Sequence, residues 1–427
     1  MNDSPEYVFC GDDFTGASDT LATLSRAGLR SRLFLSASAV RNCRELSELD
    51  AVGIATATRS MTPKAIKEEV TLAGKALASL GARVFHYKVC STFDSSPEFG
   101  SIGAAVHALK QILPNTGVVI IGGQPSLRRY CVFSNLFAAA IDDQIHRIDS
   151  HPTMAKHPVT PMSEADLRIL LAGQELHSIH GIHIPDYIGD TEKLEQTVQQ
   201  LLAQKDTVLF DALHQSDLSL IGRLIHNQPS QTLVVGSSSV AEAFIGGSAL
   251  SERNFPHVPS EPDKPVFILA GSRSQATAAQ VKEAKSFTQV RINPGEIERD
   301  RNKVFDELSA HCIKKLKNGH NVLAVVSSDM EHPLRRVELA QFTADVTARV
   351  AFSGHIDRLG IAGGDTSSFA LQALGVESLS YVTDIEPGVC LCKLHTERNP
   401  SIHGLEVALK GGQMGSTNFF TRLTGLL

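Results

Sequence analysis

The chain has 427 residues, 42% of them apolar and 20% charged, the profile of an ordinary globular protein that is too long for one hydrophobic core, so two domains are expected. A formal net charge of −6 gives no reason to expect nucleic acid or a membrane surface as a partner, and an anionic ligand has to be held by a few local groups. The opening MNDSPEYVFCGDD lacks a basic stretch followed by an apolar one, no run approaches the roughly 18 apolar residues of a membrane helix, and seven scattered cysteines make no disulfide framework; the expected compartment is the cytosol.

In chain order, YVFC reads as a first strand, followed by the turn GDDFTG and a helix over 18–27, with Ala17, Leu21 and Leu24 on one face and Gly28 as its stop. LRSRLFL supplies the next strand, which makes a βαβ unit. Within this turn Gly16 gives the backbone room, and Thr15 or Ser18 is the expected helix cap. Further strands are expected at 51–57, 83–89, 117–123, 207–213 and 232–238, each apolar enough to be buried on both faces as parallel strands are. Between them HPVTPMSEADLRILLA reads as a capped helix start, with Ser163 as N-cap and Asp166 three residues on. His177, His180 and His183 lack the spacing and facing of a metal site on an extended strand.

Residues 251–264 combine three prolines with charge and no apolar period, the signature of a linker. Beyond it the strand-turn-helix rhythm restarts with PVFILAGSRSQATAAQVKEA and runs through NVLAVVSSD and GIAGGDTSSFALQALG. The expected fold is α/β: two α/β domains with mostly parallel sheets, 1–250 and 265–427, joined by 251–264.

Ligands of open α/β sheets bind beyond the carboxyl ends of the strands, so the strand-to-helix turns are the places to look for chemistry. Three turns in the second half are glycine-rich: AGSRS (270–274), AGGDTSS (362–368) and ALKGGQMG (408–415). Glycines let the backbone approach a phosphate while helix N–H groups face it. Three such turns together point to a nucleotide, although neither the P-loop nor the dinucleotide fingerprint is present. In the first half Asp12 and Asp13 end one strand, Arg59 follows a second, and Lys88, Ser91 and Thr92 follow a third. An arginine and a lysine there could hold a small carboxylate, and an aspartate opposite could take a hydroxyl proton.

The set GDDFTGASDT, TATRS, KVCST, AGSRS, AGGDTSSFALQALG and ALKGGQMG resembles the four-carbon acid sugar kinase family over nearly the whole chain. The resemblance implies an N-terminal domain that binds a sugar acid, a C-terminal domain that binds ATP, and phosphorylation of acids such as threonate, erythronate, 3-oxo-tetronate or a branched 3-oxo acid such as 3-oxo-isoapionate. It places Ser272, Gly363, Gly364, Asp365, Thr366 and Gly412 around the nucleotide. Arg59, Lys88 and Ser91 fall in the substrate site, with Asp12 or Asp13 as the base. Mg²⁺ is expected with ATP, its ligands are not assigned, and the oligomeric state, a homo-oligomer included, stays open. One departure concerns the sugar pocket: where many members continue from the lysine as K-x-D-S-T-x-R-G-N, this chain reads Lys88-Val89-Cys90-Ser91-Thr92-Phe93, which implies a shifted substrate. The rival readings are a non-catalytic two-lobed binder of organic acids and an NAD-dependent oxidoreductase; the first is disfavoured by the missing export signal, the second by the missing fingerprint.

Overall fold

The computed structural model describes residues 4–140, 142–157, 159–248, 259–327, 336–386, 388–412 and 414–425, so 251–258 of the expected linker lie outside the described residues. The chain divides into two compact units, Met1–Arg253 and Asn254–Leu427.

The first unit contains β1 (Tyr7–Gly11), β2 (Ser31–Phe34), β3 (Ala51–Ala55), β4 (Val84–Lys88), β5 (Val118–Ile121), β6 (Arg129–Val132), β7 (Asn135–Ala139), β8 (Ile145–Arg147), β9 (Ile179–Ile182), β10 (Thr207–Phe210) and β11 (Thr232–Gly236). Eight of these form a parallel sheet in the order β2, β3, β1, β4, β11, β5, β10, β9. All five residues of β1, β3, β4 and β11 are buried, which is why their sequences are unbroken apolar runs rather than alternating ones.

The first helix, Phe14–Arg26, starts four residues earlier than its apolar period suggested because its N-cap is Asp13, whose side chain accepts a hydrogen bond from Gly16 N at 2.9 Å. Neither Thr15 nor Ser18 caps it. Ala17, Leu21 and Leu24 are fully buried, each leucine contributing roughly 2 kcal/mol of burial. Gly28 ends the helix at φ +91°, in the left-handed region. The expected cap at Ser163 is also corrected: the helix Leu167–Ala172 begins at Asp166, which accepts from Arg168 N at 2.9 Å.

β6, β7 and β8 form a separate antiparallel sheet. Its strands are short and half-buried, so they lack the apolar runs that announce the main sheet. The β6–β7 turn places Phe133 and Ser134 at φ +48° and +65°, a conformation costly for residues other than glycine. Asp211, fully buried at the end of β10, offsets that cost by accepting from Phe133 N at 2.7 Å and Ser134 N at 2.8 Å.

The second unit contains β12 (Val266–Ala270), β13 (Thr288–Ile292), β14 (Val322–Val326), β15 (Arg358–Ala362), β16 (Ser378–Glu386), β17 (Val389–His395) and β18 (Glu406–Lys410). The order β13, β14, β12, β15, β18 is parallel, and β17 and β16 continue it in antiparallel fashion. The architecture is α/β in both units. Among the described residues no helix is long and apolar enough to cross a membrane.

Candidate active site

In the first unit the strand order reverses between β1 and β4: β1 leads outward to β3 and β2, whereas β4 leads to β11 and β5. Such a switch point leaves a crevice beyond the strand ends. Gly11 is in register with Ala55 on one side and Lys88 on the other, and Lys88 with Gly236. The residues that follow therefore emerge at one level. Asp12 N donates to Lys88 O at 2.9 Å and Arg59 N to Asp12 O at 3.1 Å, which ties the three turns together.

Arg59 spans both aspartates. Its Nε and Nη2 donate to Asp12 Oδ2 and Oδ1 at 3.1 and 2.8 Å, and its Nη1 and Nη2 donate to Asp13 Oδ2 and Oδ1 at 3.1 and 3.0 Å. Four charge-assisted bonds commit the guanidinium to its own chain. Arg59 is thus paired as the counter-ion of the two aspartates. Burial raises the Asp12 carboxyl, Arg59 opposes the rise, and the charge of Asp13 adds to it. The Asp12 side chain is 8% exposed and that of Asp13 28%, so Asp13 is the carboxylate that a substrate can reach.

Lys88 is buried, and its Nζ donates to Val89 O at 2.9 Å. A Cβ on Gly16 would run into this amine and come within 2.6 Å of Asp13 Oδ1, so the glycine is required by close approach. Ser91 is half-buried in the next turn. Three residues on, buried Asp94 accepts from Thr92 Oγ1 at 2.6 Å. Burial would raise its carboxyl, yet Arg59 and the bonds from Thr92 and Cys90 outweigh that and hold it low. Asp94 was missed in the sequence because nothing local links it to Arg59.

In the second unit Ala270, Ala362 and Lys410 lie side by side in register at the carboxyl ends of the adjacent strands β12, β15 and β18. All three glycine-rich turns therefore leave the sheet together. Gly271 N and Ser272 N donate to Ala362 O at 3.0 and 2.9 Å, Gly363 N donates to Lys410 O at 2.9 Å, and Ser274 Oγ donates to Gly412 O. A Cβ on Gly271 would collide with Thr366 Oγ1 and one on Gly412 with Ser272 Oγ, whereas Gly364 faces open space. Gly363, at φ +128°, is the N-cap of the helix Gly364–Ala373. The side chain of Asp365, in its first turn, lies outside the described residues.

Under these turns sits Lys410, fully buried, its Nζ donating to Thr277 Oγ1 at 3.1 Å, Gly411 O at 3.0 Å and Gly412 O at 3.4 Å. Burial pulls its amine down to about 8, with Glu386 opposing. Gln280 Nε2 donates to Met414 O, Gly415 O and Ser416 O at 3.0, 3.0 and 2.9 Å, while its buried Oε1 has no partner. Thr277 and Gln280 were not singled out in the sequence, although Ser274, Thr277 and Gln280 recur every three residues, a polar stripe along the helix Gln275–Glu283 that solvation does not require.

A family model described as a sugar-binding N-terminal domain matches residues 7–244, and one described as a nucleotide-binding C-terminal domain matches 267–420. The chain belongs to the four-carbon acid sugar kinase family. It is therefore an enzyme, a phosphotransferase. It is 33% identical to a 3-oxo-isoapionate kinase of Paraburkholderia graminis, covering 97% of this chain and 93% of that one. A 3-oxo-tetronate kinase of Cupriavidus necator is 28% identical over 96% and 94% of the two chains. A D-erythronate kinase of Heliobacterium modesticaldum is 24% identical over 96% and 94%. Among solved structures, a Salmonella typhimurium LT2 protein superposes with a TM-score of 0.81 and a Haemophilus influenzae protein with 0.75, each 23% identical; they cover 98% of this chain and 98% and 99% of their own, and they share the fold.

Of the positions picked out in the sequence of this sugar-acid kinase, the first unit gathers Asp12, Asp13, Arg59 and Lys88 at one crevice with Ser91 in the adjoining turn. The second gathers Ser272, Gly363, Gly364, Thr366 and Gly412 at another.

Proposed function

We propose that this kinase transfers the γ-phosphoryl group of ATP to a hydroxyl of a small 3-oxo sugar acid, with 3-oxo-isoapionate and 3-oxo-tetronate as the first candidates. The observation that carries this reading is the Asp12–Asp13–Arg59 cluster at the switch point of the first unit. Asp13, the more exposed carboxylate, takes the proton of the attacking hydroxyl as the O–P bond forms and the bond to ADP breaks. Asp12 orients Arg59, which fixes the direction in which Asp13 presents its oxygens. In the second unit the backbone of the three glycine-rich turns takes the nucleotide phosphates. The open face of Gly364 and the close packing of Gly271 on Thr366 and of Gly412 on Ser272, which holds the turns together, fit such a ligand. Mg²⁺ supplies neutralisation of phosphate charge, and since it keeps water and phosphate oxygens as ligands it needs few protein carboxylates.

The test is an ADP-release assay against 3-oxo-isoapionate, 3-oxo-tetronate, threonate and erythronate, with and without EDTA. Turnover on at least one acid, abolished by EDTA and restored by Mg²⁺, is expected. Silence on the whole panel removes the substrate class.

A further inference from the structure

We propose that Arg129 is the residue that takes the carboxylate of the sugar acid, at the opposite end of the substrate from the Asp12–Asp13 pair. The proposal deepens the kinase reading and rests on it for the identity of the ligand. Two observations place the group. First, Arg59 gives four of its five N–H donors to the two aspartates, and Lys88, buried with its Nζ on Val89 O, lies beside Gly16 and Asp13, where a second carboxylate would meet the charge of the first. Arg128 pairs with Asp143 and Arg168 with Asp166. Second, Arg129, which opens β6 and pairs across to Gln124 just past the carboxyl end of β5, has a guanidinium without an acid. Its Nη1 donates to the carbonyls of Leu127, Arg128 and Ala139 at 2.9, 3.3 and 3.4 Å, and its buried Nε has no partner. Among the described residues no carboxylate pairs with it.

An arginine carries five N–H donors and stays charged in proteins. Left partly desolvated without an anion, it is an unfavourable arrangement by itself. The groups within electrostatic reach are Arg128, which carries the same sign, His151, whose imidazole burial depresses, Tyr130, and Cys90, whose thiol burial pushes up to about 11. Burial lowers the Arg129 guanidinium from its ordinary value. The missing element is a planar anion, and a carboxylate matches the guanidinium fork.

The position also suits the substrate. Cys90 lies within electrostatic reach of both Arg59 and Arg129, so the turn after β4 is near both arginines. β1 and β5 are three strand spacings apart, about 14 Å, a gap that an arginine side chain and a four- or five-carbon acid bridge together. The acid's carboxylate would rest on Arg129 while a distal hydroxyl reaches Asp13.

The experiment is calorimetric titration of the full chain with 3-oxo-tetronate, threonate and erythronate and with the corresponding uncharged amides. Wild type is expected to bind at least one acid and to discriminate against its amide. Arg129→Gln weakens the acid about 10- to 100-fold and the amide little. Arg129→Lys recovers part of the loss, and Arg128→Gln, at the exposed neighbour, matches wild type. If Arg129→Gln melts early, Arg129→Lys, whose loss should again be larger for the acid than for the amide, decides the matter. Equal losses for acid and amide, no loss in either variant, or no binding of any acid by wild type overturns the assignment. The kinase reading fails separately, if ADP release is also absent across the panel.

Discussion

Replacing Asp13 with Asn tests the proposed base with little collateral damage, because the structure separates its two tasks. As N-cap of the helix Phe14–Arg26, Asp13 needs one side-chain oxygen to accept from Gly16 N. Asn caps as well as Asp does, whereas Ala would cost about 1 kcal/mol of stability. As a base it needs a charged oxygen, which Asn lacks. The substitution also removes one of the two carboxylates on Arg59, but Asp12 keeps its two hydrogen bonds to that guanidinium. The cluster therefore stays assembled. A positioned base contributes about 10²- to 10⁴-fold, so kcat should fall by that factor, about 3–5 kcal/mol of barrier. The KM for ATP should hold within about threefold, since the nucleotide turns belong to the second unit. Coupled ADP release gives kcat and both KM values, and thermal shift with and without ATP checks that the fold and nucleotide site persist. A variant that keeps kcat within about threefold of wild type refutes Asp13 as the base, and the same measurement on Asp12→Asn then decides whether the neighbour holds that role.

Lys410→Met removes the donor shared by Thr277 Oγ1, Gly411 O and Gly412 O and with it one of the ties that hold the third glycine-rich turn; the KM for ATP should rise about tenfold or more with the KM for the acid unchanged, and equal changes in both would refute a nucleotide-side role. Gly271→Ala drives a methyl into Thr366, so the thermal stabilisation by ATP should be lost while titration with the acid still shows binding; an unaltered ATP shift would show that the turn does not touch the nucleotide. His86, fully buried, hydrogen-bonds Tyr7 OH at 2.7 Å and Gly236 O at 3.0 Å, and burial depresses it to about 3. Its contribution to stability is present above its unfolded pKa of about 6.5 and is lost as pH falls toward 3, by about 4–5 kcal/mol in all. Denaturant midpoints of His86→Gln should fall less steeply over that window than those of wild type, and parallel curves would refute the assignment.

What the sequence disclosed followed from how each feature is encoded. β1, β3, β4, β5, β10 and β11 were legible because two-sided burial writes itself as an apolar run, and the glycine-rich turns because close backbone approach excludes side chains. The β6–β8 sheet was not, because its strands are short and its turn uses Phe133 and Ser134 at positive φ, held by Asp211 from about 78 residues away. Asp13 as a cap was obscured by the apolar period of its helix, which begins at Ala17. Ser163 offered the right spacing for a cap, but Asp166 stands directly ahead of the helix and took that role. Sequence spacing put Arg59 at a strand end and could not show that two aspartates 46 and 47 residues away take four of its five N–H donors.

That last difference bears on how an anionic substrate can enter at all. Around the proposed base three carboxylates, Asp12, Asp13 and Asp94, face two cations, Arg59 and Lys88. The cluster carries one net negative charge, so a sugar acid gains nothing by bringing its carboxylate there and would meet repulsion from Asp13. A hydroxyl is welcome at the same place, since Asp13 can accept its proton. The substrate is thus oriented by charge: the carboxylate must be held away from the aspartates, at a cation without an acid, and the reacting hydroxyl must lie at the other end. In the first unit Arg129 meets that requirement, with no carboxylate partner among the described residues and Arg128 as a neighbour of the same sign. Arg59 meets it less well, because four of its five N–H donors already hold Asp12 and Asp13.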